Sequence, residues 1–283
     1  MNNFTSTDIE NYYDQTEVHY RMFWKLKEAA GLHYGIWDAS TKSTKDAILN
    51  TNRLLISLGK INKGHKVLDA GCGVGGSSIY LAKTVGCKVF GITLSKKQSE
   101  IAKSLAEKNN VSNLVEFSQA NYLETSFEDN SFDIVWAIES FGSASDKSLF
   151  FKEMDRILKP GGKILFADQF KQYNCDISTN KTMQIMLNGW AISDILSLDE
   201  LGELSAKYDF EISHTQNVTK DIKKSVNIIF YASILGFFGT KIYNFFKEAT
   251  YFSRIHYSTG FAQKKAYKKG DWGYYLVVCE KRD

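Results

Sequence analysis

Between residues 65 and 168 short β-branched runs alternate with stretches of helical periodicity, and this alternation restricts the fold more than any other feature of the chain. HKVLDA (65–70), CKVFGI (87–92), LVEFSQA (114–120), FDIVWAI (132–138) and KILFAD (163–168) read as strands. SSIYLAKTV (77–85), KKQSEIAKSLAEKNN (96–110) and KSLFFKEMDRIL (147–158) read as helices. Strands joined by helix-length crossovers pair in parallel and are buried between helical layers. The right-handed crossover then makes a doubly wound α/β sheet the economical topology.

The two ends depart from this pattern. Residues 1–64 read as a helical, aromatic arm containing Tyr12, Tyr13, Tyr20, Phe23, Trp24, Tyr34 and Trp37. Residues 65–169 form the α/β core, and 170–283 a helical lid segment plus the last strands of the core sheet, FEISHTQNV (210–218) and WGYYLVVCEK (272–281). The most apolar stretch, Val226 to Phe246, is interrupted by Asn227, Lys241 and Asn244. It falls short of the roughly 20 apolar residues of a spanning helix, so a buried or pocket-lining helix is predicted, with membrane-surface contact as the alternative.

Charge and cysteines narrow the function classes. Lys+Arg total 35 against 32 Asp+Glu, a net +3, which provides no electrostatic footprint for nucleic acid. Cys72, Cys87, Cys175 and Cys279 are widely spaced, without zinc-ligand spacing, so no metal site is expected and they read as reduced thiols of a cytoplasmic protein. The polar, acidic start MNNFTSTDIENYYD has no secretory pattern. KKAYKK (264–269) reads as a solvated face, with docking to an anionic membrane or phosphorylated substrate as the alternative; self-association is left open.

VLDAGCGVGG (67–76) is the sharpest motif. A strand ends near Asp69, glycines follow at 71, 73, 75 and 76, and a helix opens at Ser77. Glycines there permit a tight turn and let a ligand approach bare backbone near helix N–H groups. A GxGxxG spacing alone is a weak signal, and no Lys-Ser/Thr pair follows, which excludes a P-loop. The carboxylate of Asp69 at the strand tip repels a pyrophosphate and pairs with an ammonium group. Dinucleotide sites also want an acid about 20 residues on, after the next strand; here that place reads Gly91-Ile92-Thr93-Leu94-Ser95. A ligand with an amino-acid head, such as S-adenosylmethionine, suits the loop better than a nicotinamide dinucleotide.

VLDAGCGVGGSS, FGITLSKKQ (90–98), FEDNSFDIVWAIES (127–140) and RILKPGGKILFAD (156–168) together resemble the class I S-adenosylmethionine-dependent methyltransferases. The resemblance is closest to the branch of tocopherol and sterol methyltransferases and cyclopropane fatty acid synthases. It implies a Rossmann-like, seven-stranded, mostly parallel sheet with an N-terminal helical arm and a helical lid. It also implies that Asp69, Gly71 and Gly73 hold the methionine part of the cofactor, and that Thr93, Leu94 and Gln98 contact the adenosine. Asn121, beside Tyr122, stands where the family usually has an Asp that accepts from the adenine amino group; a plain turn residue is the other reading. Tyr12, Tyr20 and Tyr34 match arm residues near the cofactor.

Glu139 follows the fourth strand, at the carboxyl edge where open α/β sheets bind ligands. The resemblance places it beside substrate and sulfonium; a solvated loop glutamate is the plainer reading. Some relatives carry a His a few residues on, but Gly142-Ser143-Ala144-Ser145 has none. His33, in a segment that resembles the arm closing over the cofactor, is the candidate base, with a packed arm residue as the plainer reading; His19 and His256 are weaker candidates and His214 reads as structural. The expected activity is methyl transfer to a bulky, lipophilic small molecule at oxygen, nitrogen or carbon. The rival is a non-catalytic cofactor- or lipid-binding protein that kept the fold. Nucleic-acid methylation is disfavoured, since the chain lacks the Asn/Asp-Pro-Pro-Tyr/Phe motif.

Overall fold

A computed structural model describes residues 4–23, 31, 33–246 and 251–282, with side chains described outside 16–23, 238–246 and 251–256. Strands β1 (Lys66–Ala70), β2 (Lys88–Thr93), β3 (Val115–Gln119), β4 (Phe132–Ile138), β5 (Leu158–Lys171), β6 (Phe210–Asn217) and β7 (Trp272–Lys281) form one sheet in the order β3-β2-β1-β4-β5-β7-β6. The first five are parallel; β7 runs antiparallel between β5 and β6. The doubly wound sheet expected from the alternating pattern is present, and strand order reverses around β1, between β2 and β4.

Period-two alternation decides which side chains enter which layer. On β4, Ile134 and Trp136 join one core cluster while Val135 and Ala137 join the other; on β1, Val67 and Leu68 divide the same way. Trp136, Phe150, Phe151 and Phe166 are fully buried, each contributing about 1.5–3 kcal/mol through burial. Two helices start at residues that satisfy their free N–H groups: Ser95 Oγ accepts from Gln98 N–H ahead of the helix Lys96–Lys108, and Asp146 caps the helix Lys147–Ile157.

The helices in chain order are α1 (Ser6–Phe23), α2 (Thr44–Gly59), α3 (Gly76–Thr84), α4 (Lys96–Lys108), α5 (Lys147–Ile157), α6 (Lys181–Gly189), α7 (Leu198–Ala206), α8 (Lys223–Phe246) and α9 (Tyr251–Lys269). No helix among the described residues is long and apolar enough to cross a membrane. All four cysteines are buried and free.

One expectation needs correction, and a second holds on one face of its helix only. The strand predicted over 163–168 runs from Leu158 to Lys171, because Lys159-Pro160-Gly161-Gly162 is taken up at a register irregularity opposite β4. A bulge tolerates proline's missing donor, and Gly161 has φ +68°. The helix over 226–246 is pocket-lining at Ile229 and buried at Val226, but Tyr231 and Leu235 are 61% and 65% exposed. Apolar content alone does not tell which face of such a helix meets the core.

Candidate active site

A cleft opens at the carboxyl ends of β1, β4 and β5, beside the reversal of strand order where open α/β sheets place ligands. The glycine loop forms its floor. Gly71 and Cys72 N–H groups both donate to Ile92 O (3.0 and 2.9 Å), fastening the loop to β2. Gly71 has φ +94°, and a Cβ there would meet Ser140 Cβ at 2.5 Å. A Cβ at Gly73 (φ +53°) would meet nothing within 4 Å. This is bare backbone facing open space, the cradle an amino-acid head needs.

Asp69 lines this cradle and is 3% exposed. Ser78 Oγ donates to its Oδ2 at 2.5 Å. Burial pushes its carboxyl up to about 7, with the Ser78 bond working the other way. The value is raised above that of the unfolded chain, so this carboxyl destabilises the fold increasingly as pH climbs from about 3.9 to about 7. An ammonium against it favours the ionised form and expels the proton. Affinity for a ligand bearing that group is therefore expected to rise as pH approaches 7 from below, with proton release on binding. Calorimetry in buffers of different ionisation enthalpy checks this; pH-independent affinity without proton release contradicts it.

Thr93, Leu94 and Gln98 line the adjoining wall. Thr93 Oγ1 donates to Gln98 Oε1 at 2.7 Å, while Leu94 O accepts from Gln119 Nε2 at 2.8 Å. Helix α1 is tied across this wall: Ser95 Oγ donates to Asp14 Oδ1 at 2.6 Å, and Gln119 Nε2 to Glu10 Oε1 at 3.3 Å. Tyr122 reaches the cleft, its hydroxyl donating to Ser140 O at 2.8 Å. Asn121 is not among the cleft-lining residues. Its Oδ1 accepts from Leu123 N–H at 3.0 Å and its Nδ2 donates to Ser6 Oγ at 3.3 Å. The turn reading describes Asn121, with a tether to the arm added. The side chains of Tyr20, His19 and His256 lie outside the described ones. His214 is exposed on β6.

Glu139 adopts φ +47°, a left-handed backbone that costs a non-glycine residue about 1–3 kcal/mol and recurs at functional sites. Its N–H donates to Ala167 O at 3.0 Å. Oε1 accepts from Tyr34 N–H at 2.6 Å and from the Tyr274 hydroxyl at 2.8 Å. Burial pushes its carboxyl up to about 8; the two donors oppose that and the nearby charge of Asp168 adds to it. Asp168, on β5, accepts from Gln169 N–H (2.8 Å) and Gly142 N–H (3.2 Å), and burial raises it to about 6. Two carboxyls, both raised above their ordinary range, thus stand at the carboxyl ends of neighbouring strands, facing one cleft.

The arm closes over them. Tyr34 packs edge-on against Tyr274 (ring centroids 5.4 Å apart) and its hydroxyl accepts from Gln263 Nε2 at 2.6 Å. His33 is 5% exposed and lines the cleft. Its Nδ1 lies 3.0 Å from Tyr34 O. A carbonyl only accepts, so Nδ1 carries the proton and Nε2 is the bare acceptor. Nε2 is buried with no hydrogen-bond partner among the described residues. Burial lowers the imidazole to about 4, so it stays neutral near pH 7. Gln169 Oε1 and Ser140 Oγ are likewise buried without a described partner, and both residues line the cleft.

Sequence reasoning missed Tyr13, Asp168, Gln169, Trp190 and Tyr274 as cleft residues or direct partners of them. The position of Asp168 at the carboxyl end of KILFAD was a usable signal. Tyr274 was not legible, because its approach depends on the antiparallel β5–β7 register that sets it opposite Gln169.

A family model described as a methyltransferase domain matches residues 68–166. O-methyltransferase rstn1 of Aspergillus nomiae is 33% identical over 175 residues, 60% of this chain and 75% of that protein. The chloroplastic tocopherol O-methyltransferase of Arabidopsis thaliana is 44% identical over 102 residues, 36% of this chain but 29% of the plant protein. Matches to five other curated relatives span between 28% and 58% of their lengths. The fold is shared with the cyclopropane synthase MmaA2 of Mycobacterium tuberculosis, at a TM-score of 0.81, 17% identity and 98% coverage of both chains. The chain belongs to the class I S-adenosylmethionine-dependent methyltransferases, in the branch that includes the tocopherol methyltransferases and cyclopropane synthases, and its cofactor is S-adenosylmethionine.

Proposed function

We propose that the protein transfers a methyl group from S-adenosylmethionine to a hydroxyl on a bulky, lipophilic small molecule. The cradle fits the cofactor: Asp69 would hold its ammonium, Gly71 and Gly73 its methionine backbone, and Thr93, Leu94, Gln98 and Tyr122 its adenosine side. Bound there, it supplies a methyl group on a sulfonium already activated for in-line displacement. The chain then has to align the acceptor and exclude water, which supply roughly 7–11 kcal/mol of the barrier in well-oriented reactions. Tyr12, Tyr34 and Trp190 give the cleft aromatic walls suited to a lipophilic acceptor and to a neighbouring cation.

The bare Nε2 of His33 carries the choice of a hydroxyl. A buried acceptor left unpaired costs about 1–3 kcal/mol, which an acceptor molecule's O–H restores. The acceptor's hydroxyl becomes strongly acidic as it is methylated, and His33 Nε2 would take its proton. The names of the tocopherol and rstn1 relatives, both O-methyltransferases, support the same atom.

The test measures adenosylhomocysteine released from hydroxyl-bearing isoprenoids, phenols and polyketides, each paired with its methyl ether. Turnover is expected only with free hydroxyls. His33→Ala is expected to lower kcat by about 10²-fold or more, the range of general-base loss, with cofactor affinity unchanged. Turnover on ethers or alkenes, or a His33→Ala enzyme with full kcat, contradicts the reading.

A further inference from the structure

We propose that the outer face of the α8–α9 hairpin docks the protein on an anionic lipid surface. Helix α8 packs inward through Val226 and Ser233, and Gly260 of α9 makes that packing close, since a Cβ there would lie within 1.9 Å of Ser233 Oγ. On the outer side Tyr231 and Leu235, one turn apart on the same face, are 61% and 65% exposed. They are the two large apolar side chains that α8 gives to solvent among the described residues.

Charge identifies what covers them. Neither α8 nor α9 contains an Asp or Glu. Lys223 and Lys224 open α8, and Lys264, Lys265, Lys268 and Lys269 close α9. The acids flanking them in sequence are Asp221, ahead of α8, Glu248, between the helices, and Asp271, after α9. Lys264 Nζ sits 3.8 Å from the centre of the Phe230 ring and 5.2 Å from that of Tyr231, a cation directly beside the exposed apolar face. Lysine stems that cover apolar surface with their charges at the edge are the arrangement of a helix lying in a headgroup layer. A spanning insertion is not available to either helix's described residues. Ile229, two residues before Tyr231, lines the cleft, so the same helix faces the cleft on one side and the lipid on the other. An acceptor dissolved in the bilayer reaches the cleft along it.

The experiment is co-sedimentation of the full chain with vesicles of phosphatidylcholine alone and of phosphatidylcholine mixed with phosphatidylglycerol. Binding is expected to the mixed vesicles, to weaken with added salt, and to fall about tenfold in Y231S/L235S and at least as far in K264E/K265E. All four positions lie outside the proposed cofactor site, so an unchanged melting temperature and cofactor affinity show that each variant is folded. These also keep this test separate from the methyltransferase reading. Equal binding to both vesicle types, or undiminished binding by Y231S/L235S, overturns the proposal. So does a concentration-dependent dimer, seen by light scattering, that Y231S/L235S dissolves, which assigns the face to a second copy.

Discussion

Asp69→Ala is expected to remove measurable S-adenosylmethionine binding while leaving the protein folded. In the cradle the carboxylate faces bare glycine backbone, with no described basic side chain among the lining residues on that floor. Removing one partner of a buried charge pair costs about 3–5 kcal/mol, or roughly 10²–10⁴-fold in affinity. The fold does not depend on this group in the same way. Burial holds its carboxyl at about 7, so the ligand-free protein bears a cost for the charged form that the alanine variant lacks. Thermal melts near pH 8 should show Asp69→Ala at least as stable as the parent, while calorimetry shows the affinity gone. Wild-type affinity in the variant would refute the assignment.

Glu139→Gln is expected to behave in the opposite manner, binding cofactor nearly as well and turning over about 10²–10³-fold more slowly, the range for losing one preorganised electrostatic group. The amide oxygen can still accept from Tyr34 N–H and the Tyr274 hydroxyl, so the arm stays docked on β4. Only the charge is lost. Burial and Asp168 push Glu139 up to about 8, and a sulfonium nearby favours its ionised form. The parent's kcat should therefore rise with pH, with its midpoint below about 8 because the sulfonium is present in the complex, and the rise should be missing in the variant. Single-turnover and equilibrium-binding measurements separate the two effects; a variant with full kcat would make Glu139 a positioning residue of the arm alone.

The parallel core was legible because it rests on local signals. Alternating β-branched runs and the glycines at the end of β1 are written in contiguous residues. Asp69, Gly71, Gly73, Thr93, Leu94, Gln98 and Glu139 reach the cleft for the same reason: each lies at a strand end, in the loop that follows or, for Gln98, in the first turn of the helix after it. Contacts made between distant segments were not legible. The Tyr274 hydroxyl meets Glu139 from a strand 135 residues away. Asn121 has the composition of an adenine ligand, yet its amide is occupied by Leu123 and Ser6, the latter 115 residues away in sequence. Helix α8 shows the same division, since hydropathy marks it as apolar but not which stripe the core leaves uncovered.

The account stands on a carboxylate that takes an ammonium where a phosphate binder would offer none. Isothermal titration of the purified chain with adenosylhomocysteine, and separately with NADH, addresses it most directly. Saturable binding of adenosylhomocysteine, lost in Asp69→Ala, with no heat from NADH, is the result expected. Binding of NADH, or an adenosylhomocysteine affinity indifferent to Asp69, would contradict it.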